Sequence, residues 1–225
     1  MSVRAVIFDW GGTLTPWHTV DPHEAWLAAA GEPDRAARLH AAETQAWQRS
    51  RDEHRSATLA DVLEAAGVDA DDIFLADYHD WWEPHTLIDP DVPPLFAQLR
   101  QWDIRIGVLS NTIWPREHHE RIFARDEVLA LIDGAVYTSE IAWTKPHPEA
   151  FRAALAAVGV QDAADAVFVG DRLFDDIHGA KAAGMRAVLV PHSTIPQWQR
   201  GSVEGEPDAV ITRLSDLAAV IDGWR

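Results

Sequence analysis

The stretch VIFDWGGTLT, residues 6–15, decides how this chain is read. The run Val3, Ala5, Val6, Ile7, Phe8 is too continuously apolar for a half-exposed strand and suits a parallel strand covered on both faces. It ends in Asp9, and Gly11, Gly12 and Thr13 follow at once. The glycines let the backbone turn sharply and leave amide N–H groups free beside the carboxylate. Such a turn can hold an anion or a metal ion. An aspartate that merely opens a turn has the same local sequence, so the two readings are separated further along the chain.

A chain of 225 residues is long enough for one large domain, or a domain with a smaller insertion, and should bury roughly 70% of its unfolded surface. With no cysteine there is no disulfide framework, thiolate zinc site or cysteine nucleophile, so a metal needs oxygen or histidine donors. The net charge of −17 lacks the broad basic surface that binds nucleic acid, and no such partner is expected. A small anionic substrate would need local positive groups, and lysine occurs only at 145 and 181. No apolar stretch reaches the ~20 residues that span a bilayer. The expectation is therefore a soluble, cytoplasmic protein with no membrane partner, and no pattern in the chain fixes its oligomeric state. Tryptophan is common, at 11. Most of these rings suit core packing, and Trp17, Trp81 and Trp82 are the candidates for lining a pocket.

Further apolar runs at Ile104–Leu109, Ala135–Tyr137, Ala166–Val169 and Ala187–Val190 read as buried strands, with Ala209–Ile211 at an edge. Amphipathic stretches lie between and after them at Pro93–Trp102, His118–Leu131, Pro148–Val158, Ile177–Ala183 and Leu214–Ile221. The alternation predicts an α/β fold with a doubly wound parallel sheet. Residues 16–89 interrupt it with helix patterns only, near Pro22–Ala30, Pro33–Arg55, Leu59–Ala66 and Asp71–Trp82. They read as an inserted α-helical domain on a core of residues 1–15 and 90–225. Thr15-Pro16 and Asp89-Pro90 mark the expected hinges.

Three more strand ends carry polar residues at the C-terminal edge, where open parallel sheets bind ligands. Ser110, Asn111 and Thr112 follow one strand and offer hydroxyls, an amide and an expected helix N-terminus to an anion. Lys145 follows the next, before a helix opened by Pro146 and Pro148. Asp171 ends another, with Asp175 and Asp176 close behind. Clustered carboxylates repel one another, which favours a bound cation over a solvated acidic turn.

In order and spacing these segments resemble the haloacid dehalogenase-like (HAD) hydrolase superfamily, in particular members with a helical cap inserted after the first motif. The likeness covers essentially the whole chain. Asp9, Trp10, Gly11, Gly12 and Thr13 match the first motif, Ser110 the second, Lys145 the third, and Gly170, Asp171 and Asp176 the fourth. The resemblance implies a HAD-like Rossmannoid core and a magnesium-dependent phosphatase acting on a small-molecule phosphate. It implies that Asp9 is the nucleophile that forms an aspartyl-phosphate, with Ser110 and Lys145 completing the catalytic set. The implied Mg²⁺ ligands are Asp9, the carbonyl of Gly11, Asp171 and Asp176, an oxygen-only set. Trp10, Gly11, Thr13, Ser110, Asn111 and Lys145 are the implied substrate-binding residues.

Gly11 departs from the pattern, because phosphatases of the family place a second aspartate there as general acid and base. A positioned acid or base contributes typically ~10²–10⁴-fold, so weak turnover is expected. His18, Asp21 and His23, on the way into the helical insertion, are candidates for a substitute. A non-catalytic phosphate-binding or regulatory protein is the main alternative. A haloacid dehalogenase is less favoured, since the acidic cluster is retained. The substrate itself is not legible.

Overall fold

The computed structural model describes residues 2–16, 20–191 and 205–225. Trp17 and His18 lie outside the described residues. A six-stranded sheet forms the centre, in the order β3-β2-β1-β4-β5-β6, and every pairing in it is parallel. The strands are β1 (Ala5–Phe8), β2 (Arg105–Ser110), β3 (Gly134–Tyr137), β4 (Ala166–Gly170), β5 (Arg186–Leu189) and β6 (Ala209–Val210). β1 lies between β2 and β4, with Phe8 opposite both Val108 and Val169. All four β1 residues are buried, as a continuous apolar run at the middle of a covered sheet requires. The strand order reverses beside β1, where doubly wound folds open a crevice at the carboxyl ends of the strands.

One face of the sheet packs Phe8, Val108, Val169 and Val188 under α5 (Val92–Gln101) and α9 (Leu217–Asp222). The other packs Ile7, Phe168 and Ala187 under α7 (Pro148–Ala157) and α8 (Gly179–Ala182). Between β1 and α5 the chain forms α1 (Pro22–Ala30), α2 (Pro33–Glu53), α3 (Leu59–Ala66) and α4 (Asp72–Trp82). Local signals set their ends. The Asp21 carboxylate caps α1, a capping box at Thr58 and Asp61 opens α3, and Gly31 and Gly67 close α1 and α3 in the left-handed conformation. These helices share a third apolar cluster around Trp26, Leu39, Phe74 and Tyr78, which also takes in Ile113, Trp114 and Ile122.

Three helical expectations change. The pattern His118–Leu131 resolves into α6 (Arg116–Arg125) and a separate single turn at Leu129–Leu131, because the chain breaks at Glu127, whose φ is +59°. Residues Asn111–Pro115 separate Ser110 from α6, so the expected helix N-terminus does not follow Ser110 directly. The pattern Ile177–Ala183 begins earlier, as a wide turn over Leu173–His178 that runs into α8. The carbonyl of Arg172 accepts from both Asp176 N and Ile177 N at 3.1 Å, an i+5 bond that widens the helix.

Candidate functional site

Asp9 is the first residue beyond β1, and its N–H donates to the carbonyl of Val169 at 2.9 Å, which extends the ladder and fixes its backbone. The next turn wraps around the carbonyl of Trp10, which accepts from the N–H groups of Thr13, Leu14 and Thr15 at 3.3, 2.9 and 3.0 Å. Gly12, at φ +89°, supplies the left-handed residue in that turn. The turn brings Thr13 back so that its hydroxyl donates to Asp9 Oδ2 at 3.2 Å.

The other oxygen of Asp9 meets Lys145. The Lys145 ammonium donates to Asp9 Oδ1 at 2.6 Å and to Asp176 Oδ1 at 2.7 Å. The remaining oxygen of Asp176 accepts from the N–H of Arg172 at 3.0 Å. Asp176 reaches this place because β4 ends in glycine. A Cβ on Gly170 would stand 2.4 Å from Cγ and Oδ2 of Asp176, so any side chain there would displace the carboxylate. Asn111 holds Lys145 from the opposite side: its Oδ1 accepts from Lys145 N at 2.8 Å and its Nδ2 donates to Lys145 O at 3.1 Å. Ser110, buried at the end of β2, lies two residues beyond Val108, the partner of Phe8.

Burial sets the electrostatics. It pushes the Asp9 carboxyl up, against the pull of Lys145 and with the added repulsion of Asp176. It also raises Asp175 to about 6, opposed by Arg172. Burial disfavours the charge on Lys145, but Asp176 and Asp9 outweigh it and hold the ammonium above its ordinary range. Arg172 is likewise held up by Asp171, Asp175, Asp9 and Asp176 against its own burial. Among the described residues four carboxylates thus face two cations in a desolvated site, an excess of negative charge that costs stability unless a further cation offsets it. Asp9, Asp171 and Asp176, all buried, each offer one carboxylate oxygen, and these oxygens lie within 4.8 Å of one another. An all-oxygen donor set of this kind fits a hard divalent ion.

The structure therefore brings Asp9, Lys145 and Asp176 into direct contact, with Asp171 beside them and Thr13 and Asn111 as braces. Trp10 is drawn the other way. Its ring meets His119 at 4.6 Å and Trp114 at 5.6 Å, in an aromatic cluster between the sheet edge and α4. Trp82 joins that cluster through Trp114 at 5.7 Å, and Trp81 packs on Trp82 at 4.9 Å. Asp21 serves as the cap of α1, and His23 lies edge-on to His40 at 5.7 Å. Arg172, which no motif in the sequence marks, joins the site with its guanidinium 3.6 Å from Asp175. Its only signal was a basic residue set among three aspartates. The bracing of Lys145 by the Asn111 side chain had no local signal. Among the described residues no helix is long and apolar enough to cross a membrane.

The model of the haloacid dehalogenase-like hydrolase family matches residues 3–184. The chain is 31% identical over 144 residues to a glyceraldehyde 3-phosphate phosphatase of Methanopyrus kandleri, a match that spans 64% of this chain and 60% of that protein. It is 27% identical to a Mycobacterium tuberculosis protein named Phosphatase MT3486, over 99% of both chains. Among solved structures it is similar to a HAD phosphatase from Thermococcus onnurineus, with TM-score 0.72 and 21% identity over 99% of this chain and 100% of that one. It is also similar to a 2-haloacid dehalogenase from Pseudomonas syringae, with TM-score 0.67 and 28% identity over the same shares. With its four motifs gathered at one sheet edge, the chain belongs to the haloacid dehalogenase-like hydrolase family.

Proposed function

We propose that this protein is a magnesium-dependent phosphatase that hydrolyses a small-molecule phosphate through an aspartyl-phosphate on Asp9, with α1–α4 as a cap over the site. The observation that carries the reading is the buried meeting of Asp9, Lys145, Asp171 and Asp176 at the carboxyl edge of the sheet. The relatives named as phosphatases support it, including a phosphoserine phosphatase of Thermus thermophilus that is 33% identical over 135 residues. The acidic cluster disfavours dehalogenation, which needs no metal.

Asp9, Asp171, Asp176 and the carbonyl of Gly11 would hold the ion. When bound, magnesium supplies charge neutralisation for the phosphoryl oxygens and aligns the phosphate for in-line attack. A carboxylate oxygen of Asp9 attacks phosphorus, and the bond from phosphorus to the leaving oxygen breaks. Lys145 neutralises nucleophile and phosphoryl charge as a point charge, and Ser110 and the Asn111 N–H bind the transferring group. Water then attacks phosphorus, the bond to Asp9 breaks and phosphate departs. Gly11 can neither donate a proton to the leaving oxygen nor take one from the water, so position 11 supplies neither proton transfer.

The test is release of inorganic phosphate from acetyl phosphate, p-nitrophenyl phosphate, glyceraldehyde 3-phosphate and phosphoserine, with magnesium and with a chelator. Release should require magnesium and vanish in Asp9→Asn. Halide release from a 2-haloacid in chelator, with no phosphate released, would overturn the reading in favour of a dehalogenase. Phosphate binding without turnover on any compound would favour a regulatory protein.

A further inference from the structure

We infer that Thr144 and Ser50 are positioning residues that make the placement of Lys145 depend on the seating of the cap. The catalytic side of this inference rests on the role proposed above for Lys145. The C-terminal turn of α2 and the residues after it lie along residues 141–144, immediately before Lys145. Arg55 and Trp143 form an isolated antiparallel bridge, with the Arg55 guanidinium 4.2 Å over the Trp143 ring. Ser56 N donates to Ala142 O at 3.3 Å, and Thr144 N donates to His54 O at 2.9 Å. Ser50 Oγ donates to Thr144 Oγ1 at 3.0 Å, and Thr144 Oγ1 donates to the carbonyl of Ser50 at 3.4 Å. The Ser56 hydroxyl also bonds to the carbonyl of Ile141. Thr144 is 2% exposed and Ser50 8%, so water does not compete for these groups.

The seam continues to the second motif. Leu59 N, at the start of α3, donates to Ile113 O at 2.7 Å in the loop that follows Ser110. The loop that follows Ser110 and the loop that leads into Lys145 are thus bonded to one cap segment, residues 50–59. Lys145 has its main chain fixed by Asn111 from the core side and, one residue earlier, by Thr144 from the cap side. Its four-carbon stem samples many rotamers, so the reach of the ammonium to Asp9 and Asp176 depends on where its Cα is fixed. A cap that lifts about the linkers near Pro16 and Pro90 must break the seam and release residues 141–144 from it, leaving the main chain of Lys145 braced by the Asn111 side chain from the core side only. Enclosure of the site and placement of its cation are then one event, which ties chemistry to the closed, water-excluding state.

Thr144→Val keeps the shape of the side chain and removes both hydroxyl bonds to Ser50, which separates packing from bonding. The readout is acetylation of the two lysines by an amine-reactive ester, followed by mass spectrometry. Lys181, 39% exposed and paired with Asp208, serves as the internal reference. In the wild-type protein Lys145 should react far more slowly than Lys181. Thr144→Val should raise the Lys145-to-Lys181 ratio by about tenfold or more, Ser50→Ala by a smaller factor, and Thr144→Ser should restore the protected ratio. Lys181 reactivity should stay unchanged, the melting temperature should fall modestly as buried hydrogen bonds are lost, and kcat should fall more than KM shifts. An unchanged ratio in both Thr144→Val and Ser50→Ala overturns the inference whatever the activity. If Thr144→Val does not fold, Ser50→Ala, at the end of a helix, decides alone. A raised ratio in a protein without phosphatase activity would sink the proposed function and leave the positioning role standing.

Discussion

The ammonium of Lys145 lies 2.6 Å from Oδ1 of Asp9, so the cation engages one oxygen of the candidate nucleophile. The pair is buried, with Lys145 3% exposed, and Asp176 shares the same ammonium at 2.7 Å. Lys145→Met leaves two neighbouring buried carboxylates without their cation. Breaking such a pair costs about 3–5 kcal/mol, to be measured by urea unfolding without magnesium. Removing one electrostatic stabiliser of the transition state costs about 10²–10³-fold in kcat. A variant that keeps wild-type kcat would show that Lys145 is structural only.

Magnesium should stabilise the folded protein, since four carboxylates face two cations and the unfolded chain assembles no such site. Linkage gives about 2.7 kcal/mol at a hundredfold excess over Kd. Thermal unfolding with magnesium chloride, against potassium chloride at equal ionic strength, should show a raised Tm that Asp171→Asn abolishes. Equal melting in the two salts would remove the metal from the account.

Acid should loosen the contact between α4 and α6. His79 and His118 stack there at 3.8 Å, with His119 beside them. Burial lowers their pKa values to about 4, about 2 and about 3 respectively. Arg121 adds to the effect on His79 and Asp80 opposes it; the His79 and His119 rings, then Arg121 and Arg125, add on His118; and His79, then Arg116, adds on His119. Each folded-state value lies below that of a free imidazole, near 6.5. Their stabilisation is therefore complete above about pH 6.5 and is lost as pH falls toward 4, because the unfolded chain takes up protons that the folded one refuses. Each ring adds at most about 1.4 kcal/mol per pH unit to the slope. The urea midpoint, followed from pH 7 to 4.5, should fall more steeply in the wild type than in His118→Phe. Parallel curves would show that these rings do not carry the acid response.

Position 11 should be the weak point of turnover. Gly12 has positive φ and Gly11 does not, so an aspartate at 11 is not asked to adopt the left-handed backbone that favours glycine. Without an acid there, acyl and aryl phosphates should react far faster than alkyl phosphates, which need a proton on the leaving oxygen. Gly11→Asp should raise alkyl phosphate hydrolysis by about 10²–10⁴-fold and flatten the dependence on leaving-group pKa. If wild type and variant hydrolyse alkyl phosphates at the same rate, another group supplies the proton.

Much of this architecture is legible in the chain itself. Continuous apolar runs that end in Asp9, Ser110 and Asp171 announce buried parallel strands and a polar carboxyl edge, because a strand covered on both faces tolerates polar residues only at its ends. The Asp9, Asp171 and Asp176 cluster follows from that topology. What escapes the sequence is contact between distant segments. Ser50 and Thr144 are 94 positions apart, and Asn111 bonds Lys145 across 34, so no local pattern reports either. The wide turn at Leu173–His178 escapes for a different reason. Its i+5 bond goes with a close approach of Asp176 to Gly170, a contact between β4 and the turn that helix propensity does not report.

Rapid quench with ³²P-labelled acetyl phosphate and magnesium decides whether Asp9 attacks phosphorus in a site with no general base at position 11. A fast burst of acetate of about one equivalent should precede a slow steady rate, with acid-stable label mapped to the Asp9 peptide and absent in Asp9→Asn. Rapid, linear phosphate release with no burst and no label on Asp9 would contradict attack by Asp9.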